Sequence, residues 1–351
     1  MITGQPTSGL PDVGCGLGVE GIMSTRHNAR VNPLLLSWLS ARFGRPPESI
    51  ETLRPEASFR SFYRIDTPTG PAVVMDAPPA KEDAARFVRL ARLMSSHGIP
   101  VPIIYQADVS QGFVLMEDLG STHLIDCYRQ NQAADVLHLA VDILQVLQCL
   151  PSAELPPYTE DRLNDELTIF SEWFVDKALQ TAMPDFWQEF SVELAKTVAD
   201  QPVVAVHRDY HCKNLLVRDG RLGIVDFQDA LAGPALYDLA SLLRDCYWVF
   251  DESTVQSMLA RYLSATTLHF ENPLDLLNCT ALQRQLKAIG IFARLCLRDG
   301  KPSHLDYIDG VLGQSIGLAT SCRPNDMISV WLIELRNRWS SCYRRLREAQ
   351  A

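Results

Sequence analysis

Residues 203–229, VVAVHRDYHCKNLLVRDGRLGIVDFQD, constrain this chain more than any other segment. They read as three short β-like runs, 203–206, 215–217 and 222–225, separated by the polar loop His207-Arg208-Asp209-Tyr210-His211-Cys212-Lys213-Asn214 and the turn Asp219-Gly220. Asp-Gly between two apolar runs is a hairpin signal. Such a hairpin carries Asn214 and Asp226, twelve residues apart, to one edge beside the loop that bears Asp209. Phosphoryl transfer needs this set of groups: a carboxylate to orient the attacking hydroxyl, and an amide oxygen with a second carboxylate to hold Mg²⁺ against a triphosphate. Every fixed position of His-Arg-Asp-x-x-x-x-Asn is occupied, and the second acidic residue follows across the hairpin. Asp209 is therefore the expected catalytic carboxylate, and Asn214 and Asp226 are the expected metal ligands. A zinc site built on His207, His211 and Cys212 is the rival reading. Residues four apart align only on a helix, whereas this segment runs from a strand into a loop. His207 is expected to brace the loop through backbone hydrogen bonds.

Composition narrows the rest. A net charge of −10 over 351 residues argues against a nucleic-acid partner, which needs a concentrated basic surface. No apolar run reaches the roughly 18 to 20 residues of a membrane span. The opening MITGQPTSGLPDVGCGLGVEG has neither the basic nor the apolar region of a signal peptide. The nine cysteines are scattered without a CxxC pair, as befits free thiols in a reducing compartment. A cytoplasmic monomer is expected. Residues 1–30 are expected to form a disordered tail, with translation starting at Met1 or Met23; the GxGxxG of residues 16–21 follows no strand and carries no meaning there.

Periodicity predicts a helix over 32–43, a hairpin from 59–65 and 72–75 around Thr67-Pro68-Thr69-Gly70, a helix over 82–97, and strands at 103–107 and 113–116. Beyond Gly120 long amphipathic helices are expected at about 132–150, 161–180, 184–199, 237–250, 253–264, 281–298 and 327–348. A small β-rich lobe joined to a larger helical one follows from that order.

The segment from His207 to Asn214, with Asp226, the second histidine His211 and the run Gly233-Pro234-Ala235-Leu236-Tyr237-Asp238-Leu239-Ala240, resembles the aminoglycoside phosphotransferase/choline kinase superfamily. Ala57-Ser58-Phe59-Arg60, the stretch Val73-Val74-Met75-Asp76-Ala77-Pro78-Pro79, Asp226-Phe227-Gln228-Asp229-Ala230 and the run from Gln283 to Gly290 look like its bacterial subgroup of anomeric kinases of N-acetylmuramate and N-acetylglucosamine. The resemblance implies an α+β, protein-kinase-like two-lobed fold: an ATP-covering lobe over 31–118 and a helical lobe over 119–351 with catalytic loop and substrate site. It implies ATP and Mg²⁺ as cofactors, a small-molecule sugar as acceptor, and phosphorylation of the C1 hydroxyl in peptidoglycan recycling. It places Ser58, Phe59 and Arg60 in the phosphate-covering loop, and Met116, Glu117 and Leu119 at the adenine hinge. One departure stands out. The strand of V-A-I-K type should carry a lysine near Met75 or Asp76 and has none, leaving Arg60, Arg64 or Lys81 to face the triphosphate and Glu82 to pair with that cation.

For the acceptor, Asp229, Arg294 and His211 are the expected contacts. Arg284 and Lys287 share the helical spacing of Arg294, which suits either a substrate carboxylate or a solvated stripe. Asp238 serves a sugar hydroxyl or braces a helix, and Trp173, Phe174, Tyr247 and Trp248 stack on a sugar or fill the core. Two alternatives stay open: an aminoglycoside, choline or homoserine phosphotransferase, and a silent ATP-binding regulator.

Overall fold

The computed structural model describes residues 31–53, 59–322 and 327–348. The tail expected over 1–30 and Ser58 lie outside these residues. Helix α1 (Pro33–Phe43) starts on Asn32, whose side chain accepts from the Leu34 N–H at 3.0 Å, and stops at Gly44 with φ 72°. Then come β1 (Ile50–Leu53), β2 (Ser61–Thr67), β3 (Gly70–Asp76), α2 (Ala84–Ser96), β4 (Ile104–Asp108) and β5 (Phe113–Glu117). The five strands form one antiparallel sheet in the order β1-β2-β3-β5-β4.

Alternation sorts the sheet residues onto two faces. Ala72, Val74, Phe113 and Leu115 meet Leu35 and Leu39 of α1. Val73, Met75, Val114 and Met116 share a core with Phe87, Leu90, Ala91 and Met94 of α2. Helices on both faces explain why β3 reads as an unbroken apolar run rather than an alternating one. Strand β1, IETL, escaped the sequence reading because it is an edge strand with no buried position.

The helical part comprises α3 (Leu124–Arg129), α4 (Ala133–Gln148), α5 (Glu160–Ile169), α6 (Trp187–Ala199), α7 (Tyr237–Leu243), α8 (Glu252–Ala265), α9 (Pro273–Leu297), α10 (Leu305–Cys322) and α11 (Met327–Glu348). Four short strands lie among them. The hairpin β7 (Leu215–Arg218)–β8 (Arg221–Ile224) is the one expected, while β6 (Val203–Val206) pairs with β9 (Leu231–Pro234). Strand β9 was missed because LAGP carries Gly and Pro, and α10 because it contains Gly310, Gly313 and Gly317.

Three expected helices differ in extent. The helix expected over 161–180 changes at Ile169 into a π-helical segment, Phe170–Ala178, at the point where Gly290 of α9 touches the Ile169 and Phe170 backbone. The one expected over 237–250 ends at Leu243, because Asp245 turns to accept the N–H groups of Cys212 and Tyr247. Helix α9 starts eight residues earlier than expected, at Pro273. It is buried almost all round, and Gln283, Arg284, Gln285 and Lys287 lie inside with its apolar residues.

Candidate active site

Strand β6 delivers the chain into the loop 207–214, which two buried carboxylates hold at its ends. Asp238, at the start of α7, accepts the N–H of His207 at 2.6 Å and of Arg208 at 2.9 Å. Asp245, seven residues on, accepts the Cys212 N–H at 2.9 Å. Both are fully buried. Burial pushes the Asp238 carboxyl up to about 6 in spite of those bonds. Asp238 thus braces the loop rather than the helix at whose start it sits, which was the structural role expected of it. His207 spends both ring nitrogens: Nδ1 takes the Asp209 N–H at 3.3 Å and Nε2 reaches the Val225 carbonyl at 3.0 Å. It ties the loop to the end of the β7–β8 hairpin and has no nitrogen left for a metal. Among the described residues no group of three His, Cys, Asp or Glu side chains could hold one.

Arg208 adopts φ 77°, a left-handed conformation costly for a side chain of this size. Asp238 holds its N–H, and Glu166 of α5 takes its guanidinium at 2.5 Å. Glu166 also pairs with Lys287 of α9 at 3.0 Å and bonds the Tyr158 hydroxyl, which reaches the Tyr237 hydroxyl at 2.9 Å. Burial pushes the Glu166 carboxyl up, yet Lys287 and Arg208 together hold it below its ordinary value. Sequence reasoning missed Glu166. It sits 42 residues from Arg208 and 121 from Lys287, on a helix with no other unusual feature.

Asp209 stands over this network. Arg284 Nη2 lies 4.0 Å from its Oδ1. Burial pushes the Asp209 carboxyl up, but Lys287, His211 and Arg284 outweigh it and bring the group down to about 2. Burial keeps His211 itself below its ordinary value, so the two α9 cations are the lasting part of that pull. Arg284 and Lys287 are accordingly not a solvated stripe. Arg294 lies ten residues further along α9, about 15 Å at helical rise. Glu172, Arg298 and Asp299 are its charged neighbours, so its position gives no support to an acceptor contact beside Asp209. His211 is buried with Nδ1 unpartnered and its ring edge-to-face with Tyr247, 5.2 Å between centroids.

Asn214 donates from Nδ2 to the Asp209 carbonyl at 3.0 Å, and its own carbonyl accepts the Val225 N–H at 3.0 Å. The backbone bond ties Asn214 to the hairpin end, where Asp226, the residue after Val225, sits with φ 65° and a half-exposed carboxylate. The expected juxtaposition of Asp209, Asn214 and Asp226 is present. One amide oxygen and one carboxylate are hard donors that fit Mg²⁺, which keeps several waters and fills its octahedron with phosphate oxygens.

Of the three cations expected to stand in for the missing lysine, Arg60 lies beside Asp226. Its Nε lies 3.5 Å from Glu82, just ahead of α2, and its Nη2 3.8 Å from Asp226. Arg64 is engaged elsewhere: it grips the Asp118 carboxylate at 2.7 and 3.1 Å and the Gly120 carbonyl at 3.2 Å, locking the chain where β5 leaves the sheet. Lys81 rests over the exposed ring of Phe59 at 4.2 Å. Asp229 faces the Arg60 side. With Arg60, Glu82, Arg86 and Phe87 it lines a cavity of about 170 Å³, and it accepts from Gln228 at 3.2 Å. That places it with Arg60 and Arg86 and leaves the acceptor assignment made from sequence without support. At the expected hinge, Met116 is buried in the core, and the Glu117 N–H donates to the Ile103 carbonyl at 2.9 Å. The Asp118 carbonyl is taken by Arg218 at 2.6 Å, and Leu119 packs on Gly223.

A second cavity, about 320 Å³, opens beyond Cys246, whose Sγ approaches Arg284 at 4.0 Å; Tyr247, Trp248 and Tyr307 form its aromatic wall. Of the four aromatics left open between sugar and core, Tyr247 and Trp248 therefore face a cavity. Phe174 is buried in the core, and Trp173 packs against it under Lys177.

Comparison with known proteins shows the family and the fold. The profile of the phosphotransferase enzyme family matches residues 49–274. An N-acetylmuramate/N-acetylglucosamine kinase of Pseudomonas aeruginosa is 36% identical over 272 residues, 74% of this chain and 80% of that protein. Proteins of the same name from Pseudomonas putida and Neisseria meningitidis are 35% and 33% identical, covering 78% of this chain and 86% and 89% of theirs. Among solved structures, a thermostable mutant of the aminoglycoside phosphotransferase APH(4)-Ia, in complex with AMP-PNP and hygromycin B, superposes with a TM-score of 0.57 at 15% identity, over 83% of this chain and 99% of that one. A choline/ethanolamine kinase family protein from Mesorhizobium loti does so with 0.58 at 14% identity, over 89% and 99%. These likenesses establish the protein-kinase-like fold. The chain belongs to the phosphotransferase enzyme family, as a kinase that transfers phosphate to a hydroxyl group and a relative of the N-acetylmuramate/N-acetylglucosamine kinases.

Proposed function

We propose that this enzyme transfers the γ-phosphoryl group of ATP to the anomeric C1 hydroxyl of N-acetylmuramate and N-acetylglucosamine, within peptidoglycan recycling. The observation that carries the reading is Asp209 set between the Asn214–Asp226 oxygens and the Arg284–Lys287 cations, in a chain whose relatives at 33 to 36% identity carry that kinase name.

Asp209 accepts a hydrogen bond from the C1 hydroxyl and points its oxygen at the γ-phosphorus. A carboxyl held near 2 is a weak base, so its work is orientation, and the proton leaves the oxygen late. An anomeric hydroxyl is more acidic than an ordinary alcohol, and weak assistance suffices. The new O–P bond forms as the bond to the β–γ bridging oxygen breaks, leaving ADP and a sugar 1-phosphate. Asn214 and Asp226 would hold Mg²⁺, which neutralises charge on the phosphates. Arg60 adds a cation to the same side, kept in place by Glu82. Backbone groups of Glu117 and Leu119 receive the adenine edge. The enzyme acts as a monomer.

The test is ATP consumption with Mg²⁺ on N-acetylmuramate, N-acetylglucosamine, glucose, kanamycin, choline and homoserine, with the product examined by ³¹P NMR. An acid-labile 1-phosphate from the amino sugars is expected. Asp209→Ala should lose at least about 100-fold in kcat while ATP binding persists. Turnover of kanamycin or choline alone would replace the acceptor. ATP bound without turnover of any would overturn the assignment.

A further inference from the structure

The aromatic cavity has an unusual cation at its rim. Tyr247 and Tyr307 line it and meet edge to face, with centroids 4.9 Å apart. Lys213 reaches both: its Nζ lies 3.8 Å from the Tyr247 centroid and 4.7 Å from that of Tyr307. The root of the lysine is fixed, since its carbonyl is bonded by His123 Nδ1 at 2.6 Å and the next residue is Asn214. Ring faces hold an ammonium in position without neutralising it. Among the described residues Lys213 forms no ion pair, whereas Arg64 is matched by Asp118 and Lys287 by Glu166. The one carboxylate lining the cavity, Asp306, is already bonded by Arg347 and by Tyr343 at 2.7 Å. Cys246, in the cavity wall, touches Arg284, which pairs with Asp209. Cys246 and then Arg284 thus connect a ring held here to Asp209.

Aromatic walls suit the apolar face of a pyranose, and a free ammonium beside them suits an anionic substituent on that ring. We propose that Lys213 binds the carboxylate of an acidic acceptor sugar and so sets the preference for N-acetylmuramate over N-acetylglucosamine. This rests on the acceptor reading above. The two sugars differ in the lactyl ether at C3, whose carboxylate only the first carries, so a charge at this rim assists one acceptor and is indifferent to the other. Arg284 is less suited to that task, because its guanidinium is buried and turned to Asp209.

The experiment compares kcat/KM for N-acetylmuramate, its methyl ester and N-acetylglucosamine in the wild type, Lys213→Met and Lys213→Arg. Lys213→Met should lower the ratio of N-acetylmuramate to N-acetylglucosamine by about tenfold, chiefly through KM for the acid. The ester should lose no more than N-acetylglucosamine does, and Lys213→Arg should restore most of the ratio. On the wild type alone, rising ionic strength should raise KM for the acid and leave that for the ester unchanged, a readout independent of how the variants fold. An unmoved ratio, an ester that suffers as much as the acid, or a KM for the acid indifferent to salt would each overturn the role of Lys213. A wild type that phosphorylates neither sugar would instead refute the acceptor reading itself.

Discussion

Gly290 shows how closely the two helices behind Asp209 are matched. A Cβ there would lie 2.5 Å from the carbonyl carbon and oxygen of Ile169 and from the amide nitrogen of Phe170. Ordinary contact begins near 3.4 Å, so Gly290→Ala must part α9 from the α5–π junction by 0.9 Å (3.4 − 2.5). Helix propensity favours alanine by about 1 kcal/mol. Overpacking a filled interior costs about 1–3 kcal/mol, toward the upper end here because backbone atoms cannot step aside by changing rotamer. The clash outweighs propensity, and a net loss of about 1–2 kcal/mol is expected. Glu166 and Lys287 each lie three residues before the contact, one on either helix, and their 3.0 Å ion pair would open with it. Since Lys287 helps hold Asp209 ionised, kcat should fall along with stability. Gly317 of α10 supplies the contrast: it is exposed, with nothing within 4 Å of its would-be Cβ, so Gly317→Ala should stabilise by up to about 1 kcal/mol. Urea denaturation of both variants, with kcat measured in parallel, decides the matter. A Gly290→Ala protein as stable as the wild type, or two variants shifting in the same direction, would refute the packing argument.

Arg60→Met removes the cation shared by Glu82 and Asp226 and should raise KM for ATP about tenfold or more, with Arg60→Lys in between. An unchanged KM for ATP would mean that the phosphates are neutralised elsewhere. The two aspartates of the loop make opposite statements about pH. With its carboxyl near 2, Asp209 stays ionised throughout the range in which the enzyme can be assayed and gives no acid limb above about pH 4. Asp238 is raised to about 6, and its protonation removes an acceptor from the brace on His207 and Arg208, so kcat at saturating Mg·ATP should fall as pH drops through about 6. Stability runs the other way: a carboxyl raised on folding contributes most below its unfolded value near 4, and that contribution is lost as pH rises through about 6. A kcat that is flat from pH 8 to 5 would contradict the brace.

What could be read from the chain and what could not divide along sequence distance. Asp209, Asn214 and Asp226 fall within 18 residues, and a loop and a hairpin are enough to bring them together. The flanking strands and the helices that pack on them follow from periods of two and 3.6. Arg60 was one of three candidate cations, and what engages the other two is visible only in the fold: Arg64 on β2 is drawn to Asp118, 54 residues away, and Lys81 is held on Phe59. The same holds for the α9 arginines and lysine. Their spacing puts them on related faces, yet whether such a face meets solvent or Asp209 depends on a crossing with α5 that no local pattern encodes. Gly290 sets that crossing. A glycine in the middle of a helix reads in sequence as a mild defect; its reason is visible only once the Ile169–Phe170 backbone is seen against it. Asp229, expected at a sugar hydroxyl, shows what a local pattern leaves open: the chain turns after Phe227, whose ring packs on Phe87 of α2 at 4.8 Å, and Asp229 lines the cavity shared with Arg60 and Arg86. The residues proposed to carry phosphoryl transfer are thus written close together in the chain. Those that tune Asp209 are spread over more than a hundred residues, because burying a cation beside a carboxylate takes a second carboxylate, Glu166, to keep the cation in place.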